Sequence, residues 1–334
     1  MKRLALLPLL LTACAGPQGS LPSSLADPQP SGSLFVAGKF RNVLSKVDLG
    51  SGEVAYMVET CANPHELAVS PDDAHVALAC YGGQQIVIYD TERLMVRQRL
   101  LLGRQARPHG IVWHPNGDIY ATAEGRQSIY WVRNPLSSSP DIIEYGTGKE
   151  GSHMIAVAPD GHHAWTTDLG SKTVTRIDLV TRRAPLSIEV GEEPEGIALS
   201  PDGETLWISA RGSDKAFALD PRTLDIRDTI DTGDFPLRIV VRPQGDFAVT
   251  SDLADGGLTV IDTATGEAVR QIAVSSREEA ESRQQVTVLF SPDGERIYVA
   301  ETRSDTVAEV DFASGRVLRR LPGTGGGDGM AIVQ

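Results

Sequence analysis

Ser291-Pro292-Asp293-Gly294-Glu295-Arg296-Ile297-Tyr298-Val299-Ala300 is the stretch on which the fold turns. Proline presets φ at the second turn position, aspartate bonds its neighbouring backbone, and glycine takes the positive φ that other residues resist. Four residues therefore reverse the chain, and the apolar run behind them reads as an outgoing strand. The same turn or a relative recurs at Ser70-Pro71-Asp72-Asp73, His114-Pro115-Asn116-Gly117, Ala158-Pro159-Asp160-Gly161, Ser200-Pro201-Asp202-Gly203 and Arg242-Pro243-Gln244-Gly245. Each is bracketed by short apolar runs, as Ile197-Ala198-Leu199 and Leu206-Trp207-Ile208-Ser209 show.

Further along each copy a third run ends in aspartate, as in Ile86-Val87-Ile88-Tyr89-Asp90 and Leu258-Thr259-Val260-Ile261-Asp262, and a fourth run follows, such as Ala268-Val269-Arg270-Gln271-Ile272. Four short strands in a repeat of about 42 residues, each too small to fold alone, make one blade of a β-propeller. Counting back six residues from each turn places blade starts at Pro64, Pro108, Ser152, Pro194, Pro236 and Gln285, with a seventh at Gly327 that has no turn after it. Three unmatched strands lie at the other end, at residues 33–37, 43–49 and 54–58. The expected fold is all-β: seven four-stranded blades, the ring closed by the carboxyl-terminal strand joining amino-terminal partners, which removes exposed sheet edges.

The run from Ser291 to Ala300, followed by Asp305-Thr306-Val307 and Val310-Asp311, resembles the YVTN-type repeat of bacterial extracytoplasmic seven-bladed propellers, with the eponymous tetrapeptide partly kept as Tyr298-Val299-Ala300-Glu301. The resemblance spans nearly all of the chain after its leader. It implies the fold strongly and the function weakly, because members include surface-layer, lactonase-like and binding proteins.

The first residues read as an address. Lys2 and Arg3 precede an apolar run from Leu4 to Leu11, and Leu11-Thr12-Ala13-Cys14 follows. The run is far shorter than the roughly 20 residues a membrane-spanning helix needs. Small residues before a cysteine resemble the lipobox of bacterial lipoproteins, which implies lipidation of Cys14 and loss of residues 1–13. Several acyl chains give a stable hold, at about 0.8 kcal/mol per buried methylene. The same resemblance implies, from Ala15 after the cysteine where inner-membrane lipoproteins often carry aspartate, the outer membrane, facing the periplasm or cell surface. Residues 14–32 form the lipidated cysteine and a Pro-, Gly- and Ser-rich tether, and residues 33–334 the propeller.

About 320 residues remain after the leader, with no second linker, so one large repetitive domain is expected. The net charge of −13 speaks against nucleic acid as a partner. A monomer bound to a membrane through its lipid, with a small-molecule or protein ligand at the central funnel, is the expected state. Cys61 and Cys80 fall at neighbouring points of one hairpin, so a disulfide is sterically reasonable in an oxidising compartment; free buried thiols are the alternative. No Cys-x-x-Cys-His, nucleophile elbow, phosphate-binding loop or zinc-protease helix is present.

Loops leading into the inner strands, and those joining second to third strands, share one face of a propeller, where ligand sites gather. The residue after each blade start is His65, His109, His153, Glu195, Leu237, Val286 and Asp328. Three successive blades thus offer histidine and a fourth a carboxylate. Ten residues beyond each turn start lie Cys80, Glu124, Asp168, Ala210, Asp252 and Glu301, and Glu124 and Asp168 share blades with His109 and His153. Imidazole backed by carboxylate suits a divalent metal ion such as zinc; polar strand starts that merely bond backbone are the alternative. His75, His114, His162 and His163 read as solvated turn residues. Arg104, Arg107, Lys149, Arg211, Arg238 and Arg303 lie near the same face, where solvation or an anionic ligand would account for them. Glu278-Glu279-Ala280-Glu281 lengthens one blade as a surface loop or short helix. Three functions are compatible with these residues: a binding scaffold, a metal-assisted hydrolase using His65, His109, His153 and Glu195, and an accessory in periplasmic redox or cofactor assembly.

Overall fold

In the computed structural model, which describes residues 30–334, seven four-stranded antiparallel sheets stand in a ring. The expected lipidation site Cys14 and most of the tether lie outside the described residues. Six blades are continuous in sequence: the second starts at Pro64, the third at Pro108, the fourth at Ser152, the fifth at Pro194, the sixth at Pro236 and the seventh at Gln285. The first blade is the split one. Its innermost strand Gly327–Val333 pairs with Ser33–Gly38, in the register Ser33 to Val333 and Val36 to Met330.

The turns form as their residues dictate. Gly203 and Gly294 hold φ of 74° and 72°, their N–H groups donating to Ser200 O and Ser291 O at 2.8 Å. Ser200 and Ser291 donate to the turn aspartates Asp202 and Asp293 at 2.5 Å. Asp73 takes the same left-handed conformation where this copy lacks glycine, at the modest cost aspartate pays there.

Apolar packing is partitioned between blades. Each blade's second strand is wholly or nearly wholly buried, whereas outer strands such as Val54–Glu59 are mostly exposed. The buried apolar residues form seven clusters, one at each junction of neighbouring blades. The closing junction is as apolar as the rest: Tyr298, Ala300 and Val307 of the seventh blade pack on Leu34, Val36, Val47 and Met330 of the first.

One irregularity repeats around the ring and positions the site. Just inside each inner strand, the ladder to the second strand slips by one residue: between Pro64 and Leu67, Pro108 and Ile111, Ser152 and Ile155, Pro194 and Gly196, Pro236 and Arg238, and Gln285 and Val288. Such bulges release side chains from the regular alternation and re-aim them. His65, His109, His153 and Glu195 all sit in them. Glycine follows at Gly196 and Gly329, because neighbouring inner strands meet there; a β-carbon on Gly329 would lie 2.1 Å from His65 O, and one on Gly196 2.7 Å from Ile239 N.

Hydroxyls fasten these bulges to one another. Thr122 Oγ1 accepts from Gly110 N–H at 2.8 Å and donates to His153 O, in the next blade, at 2.7 Å. Thr167 likewise accepts from Met154 N–H and donates to Glu195 O at 2.7 Å, and Ser251 links Arg238 N–H to Val286 O. The backbone beneath the site is therefore held from blade to blade.

The inserted segment is a helix, Arg277–Arg283, opened by a Ser276–Glu279 capping box. Arg277 binds Asp255 of the sixth blade and Asp234 of the loop leading into it, and Arg283 faces Glu301 of the seventh. The helix thus clamps two blades on the face where inner strands begin. His114 differs from its sequence reading as solvated: it is buried, its Nε2 3.0 Å from Ala158 O across a blade junction.

Candidate functional site

The bulges bring ionisable side chains of six blades together around the channel. Lys39 and Asp328 of the first blade are paired at 3.0 Å, and Asp328 stands 3.7 Å from His65 Nε2. The rings of His65 and His109 lie 4.8 Å apart and those of His109 and His153 only 3.8 Å. Glu195 Oε1 is 3.3 Å from His153 Nε2 and also binds Arg238, which reaches across the channel to Glu66 Oε1 at 2.9 Å. Arg211 binds the other oxygen of Glu195.

The second ring nitrogen of His153, Nδ1, meets Glu124 Oε1, and Tyr81 donates to Glu124 Oε2 at 2.8 Å. Both faces of this imidazole's polarity are thus occupied by carboxylates. Burial alone would lower the His153 pKa, but hydrogen bonds to Glu124 and Glu195 outweigh it and raise it. His109 has no such support. Burial, and then the positive charge of His153, push its pKa well below the ordinary imidazole value, and its buried Nδ1 has no hydrogen-bond partner among the described residues. The two neighbouring histidines are therefore shifted in opposite directions, His153 toward its charged form and His109 toward its neutral form.

The carboxylates are ionised by their partners. Burial pushes Glu195 up, yet His153, Arg238 and Arg211 hold it down at about 2. Glu124 is lowered in the same way, against burial, by His153 and Tyr81. Tyr81 itself is pushed up to about 12 by burial and by Glu124, so it donates its proton throughout the ordinary range. Burial works against the Arg238 charge, but Glu66, Glu195 and Asp328 raise its pKa further.

Not every expected residue joins this wall. Glu124 serves His153 of the next blade rather than His109 of its own, because its strand ends at Ala123 and Glu124 opens a short 3-10 turn, Glu124–Arg126. Asp168, placed by spacing behind His153, instead remains in its strand and accepts from Ser152, Thr166, Thr173 and Thr175 at 2.6–2.9 Å. Its four donors turn it into the blade. Leu237 and Val286 are buried apolar residues. Cys80 is bonded to Cys61, with a Cα separation of 5.7 Å, which fastens the loop before His65 to the adjacent strand.

Of the basic residues near this face, Arg238 and Arg211 enter the cluster, Arg107 lies over the Tyr81 ring at 5.7 Å, and Arg104 and Arg303 are exposed. Glu66 and Arg238 escape the spacing rule because they occupy the second position of the bulge. The cup stays reachable from solvent: the side chains of Lys39, Arg211, Glu124, His65 and His153 keep 10–25% exposure. Grooves of about 500 and 460 Å³, lined in part by Trp113 and Trp165, lie on the face carrying the Ser-Pro-Asp-Gly turns; in the second, Asp160, Asp202, Glu204 and Arg222 are exposed, unlike the buried Glu66, Glu195 and Arg238.

The model of the seven-bladed β-propeller lactonase family matches residues 50–271. No curated protein matches the chain. Among solved structures, a functionally unknown protein from Desulfotomaculum acetoxidans is similar at a TM-score of 0.70 and 16% identity, covering 91% of this chain and 99% of that one. Virginiamycin B lyase from Staphylococcus aureus gives 0.65 and 15%, covering 78% and 84%. The dihydro-heme d1 dehydrogenase NirN gives 0.65 and 15%, covering 94% and 78%. At these identities the structures speak for the fold alone. The family match, laid over blades whose inner-strand bulges all face one channel, places this chain in the lactonase family of seven-bladed β-propellers.

Proposed function

We propose that the protein is a lipid-anchored, extracytoplasmic propeller that binds a small polar ligand in the histidine-lined sector of its channel. The observation that carries this reading is the reachable cup of donors and acceptors, Lys39, His65, Glu124, His153 and Arg211, built over the buried charges of Glu66, Glu195 and Arg238. Each desolvated charge is costly to bury, and a polar ligand that engages the reachable donors and acceptors above them puts that cost to use. The lipobox-like residues before Cys14, and the Cys61–Cys80 bond, support a compartment outside the cytoplasm.

Two measurements test the reading. Cys14→Ser should move the protein from the membrane to the soluble fraction; unchanged fractionation overturns the anchor. A panel of small polar compounds should raise the melting temperature of the wild type and not of Glu195→Gln; equal responses overturn the site.

A hydrolase is the second reading, favoured by family membership and by the approach of His109, Glu124 and His153, whose ligand atoms lie within 4.8 Å of one another. A divalent metal held there would polarise a carbonyl and activate water. Chelator-sensitive turnover of a lactone panel is the expected result, and no turnover with metal present overturns it.

A further inference from the structure

We propose that His109, Glu124 and His153 form a mononuclear site for a divalent transition metal ion, with zinc the best match. This rests on the reading that the histidine sector is the ligand site, and it names the first ligand that sector takes. Three residues that were scattered over two blades by sequence converge in space: one ligand atom of each lies within 4.8 Å of the others. Two imidazoles and one carboxylate, with remaining positions open, are a donor set that zinc accepts.

An independent observation points to the same place. His109 is buried, and its Nδ1 has no hydrogen-bond partner among the described residues. An imidazole nitrogen shut away from water without a partner is costly. Ligation of a cation is one way to meet that cost, and the tilted rings of His109 and His153, with centroids 3.8 Å apart, are within reach of one ion.

The surroundings are those a ligand set needs. Metal-binding imidazoles are oriented by a carboxylate on their other nitrogen, and metal-binding carboxylates are themselves hydrogen-bonded. Glu195 stands at Nε2 of His153, leaving Nδ1 beside Glu124, and Tyr81 fixes the second oxygen of Glu124 at 2.8 Å. An ion bound between His153 and Glu124 takes the place of the proton they share. The Thr122 hydroxyl holds the His153 backbone from the blade that carries His109 and Glu124.

The same geometry separates ligands from bystanders. His65 is not included, because its Nδ1 is 3.0 Å from Asn63 O and its Nε2 faces Asp328. Glu195 is not included, because Arg238 and Arg211 occupy both its oxygens; it is a positioning residue. Asp168 is enclosed by hydroxyls.

The test is equilibrium dialysis of the detergent-purified full chain, stripped with chelator, against zinc chloride, and in parallel against cobalt chloride with visible absorption as the readout. One zinc per chain is expected, with a tetrahedral cobalt spectrum. Glu124→Gln and His109→Ala should each weaken zinc binding by about 100-fold or more, while His162→Ala, on the exposed turn, leaves it unchanged. Circular dichroism establishes that each variant is folded, and Glu124→Gln, the near-isosteric change, serves if His109→Ala is not. No stoichiometric zinc on the wild type overturns the proposal, as does binding that survives in the folded Glu124→Gln protein. A wild type that binds no zinc but is stabilised by organic compounds overturns the metal and leaves the ligand site standing.

Discussion

Glu195 and Asp252 are both buried carboxylates of this propeller, one on the channel wall and one inside a blade, and their surroundings pull them in opposite directions. Glu195 is held at about 2 by His153, Arg238 and Arg211. Asp252 is held by neutral donors, the hydroxyls of Thr250 at 2.7 Å and Thr259 at 2.6 Å and the Gly233 backbone, and burial pushes it up to about 6. Asp168, with four hydroxyl donors, is raised by burial too. The hydroxyl donors of Asp252 and Asp168 lower their pKa by less than burial raises it, whereas the cations around Glu195 outweigh its burial. Asp252 and Asp168, held by hydroxyls, thus lean toward their neutral forms inside their blades, whereas Glu195, held by cations, stays charged on the channel wall.

The largest way to break this contrast is Arg238→Met, which leaves Glu66 and Glu195 buried without their shared cation. A loss of about 3–5 kcal/mol is expected, read by chemical denaturation at pH 7. Adding Glu66→Gln and Glu195→Gln should recover much of it; a single variant as stable as the wild type would show that the wall is not charge-compensated as described.

A smaller effect follows on the blade side. Because the folded-state pKa of Asp252 is raised from 3.8 to about 6, the stability its neutral form contributes is full below the unfolded value and is lost as pH rises through about 6. Asp252→Asn should flatten the stability profile between about pH 4 and 6 while changing stability at pH 4 by only about 1 kcal/mol. Glu195 has the opposite sign: its contribution is present above about 4.5 and fades as pH falls toward about 2. An Asp252→Asn profile parallel to the wild type would remove the distinction. The mildest change, Thr250→Val, takes away one donor to Asp252, costs about 1 kcal/mol, and should carry the pH-dependent loss to still higher pH.

Much of the ring was legible because turn chemistry is local. Pro71, Pro201 and Pro292 with their aspartates announce reversals regardless of context, and the unmatched strand after Gly327 announces closure. The histidines were legible because His65, His109 and His153 occupy equivalent positions, and a bulge shared by all blades aims them alike. What spacing missed depends on neighbours distant in sequence. Arg238 and Glu66 are 172 residues apart, and nothing near either says which of the two bulge residues turns to the channel. Glu124 and Asp168 are equivalent by count but diverge in space, since one strand stops a residue early and the other carries a ring of hydroxyls. The hydroxyls nearby, Thr122 two residues before Glu124 and Thr167 one before Asp168, tie one blade's bulge to the next in both cases and so do not tell the two apart.

The split first blade has a mechanical consequence. Its strand Ser33–Gly38 is flanked on both sides, by Val43–Asp48 and by Gly327–Val333. Tension arriving through the residues before Ser33 would not peel an outer strand one bond at a time. Antiparallel hydrogen bonds lie across the strand axis, so two ladders would bear the load together in shear, and the ring would resist a pull at its amino-terminal end far better than one at an outer strand.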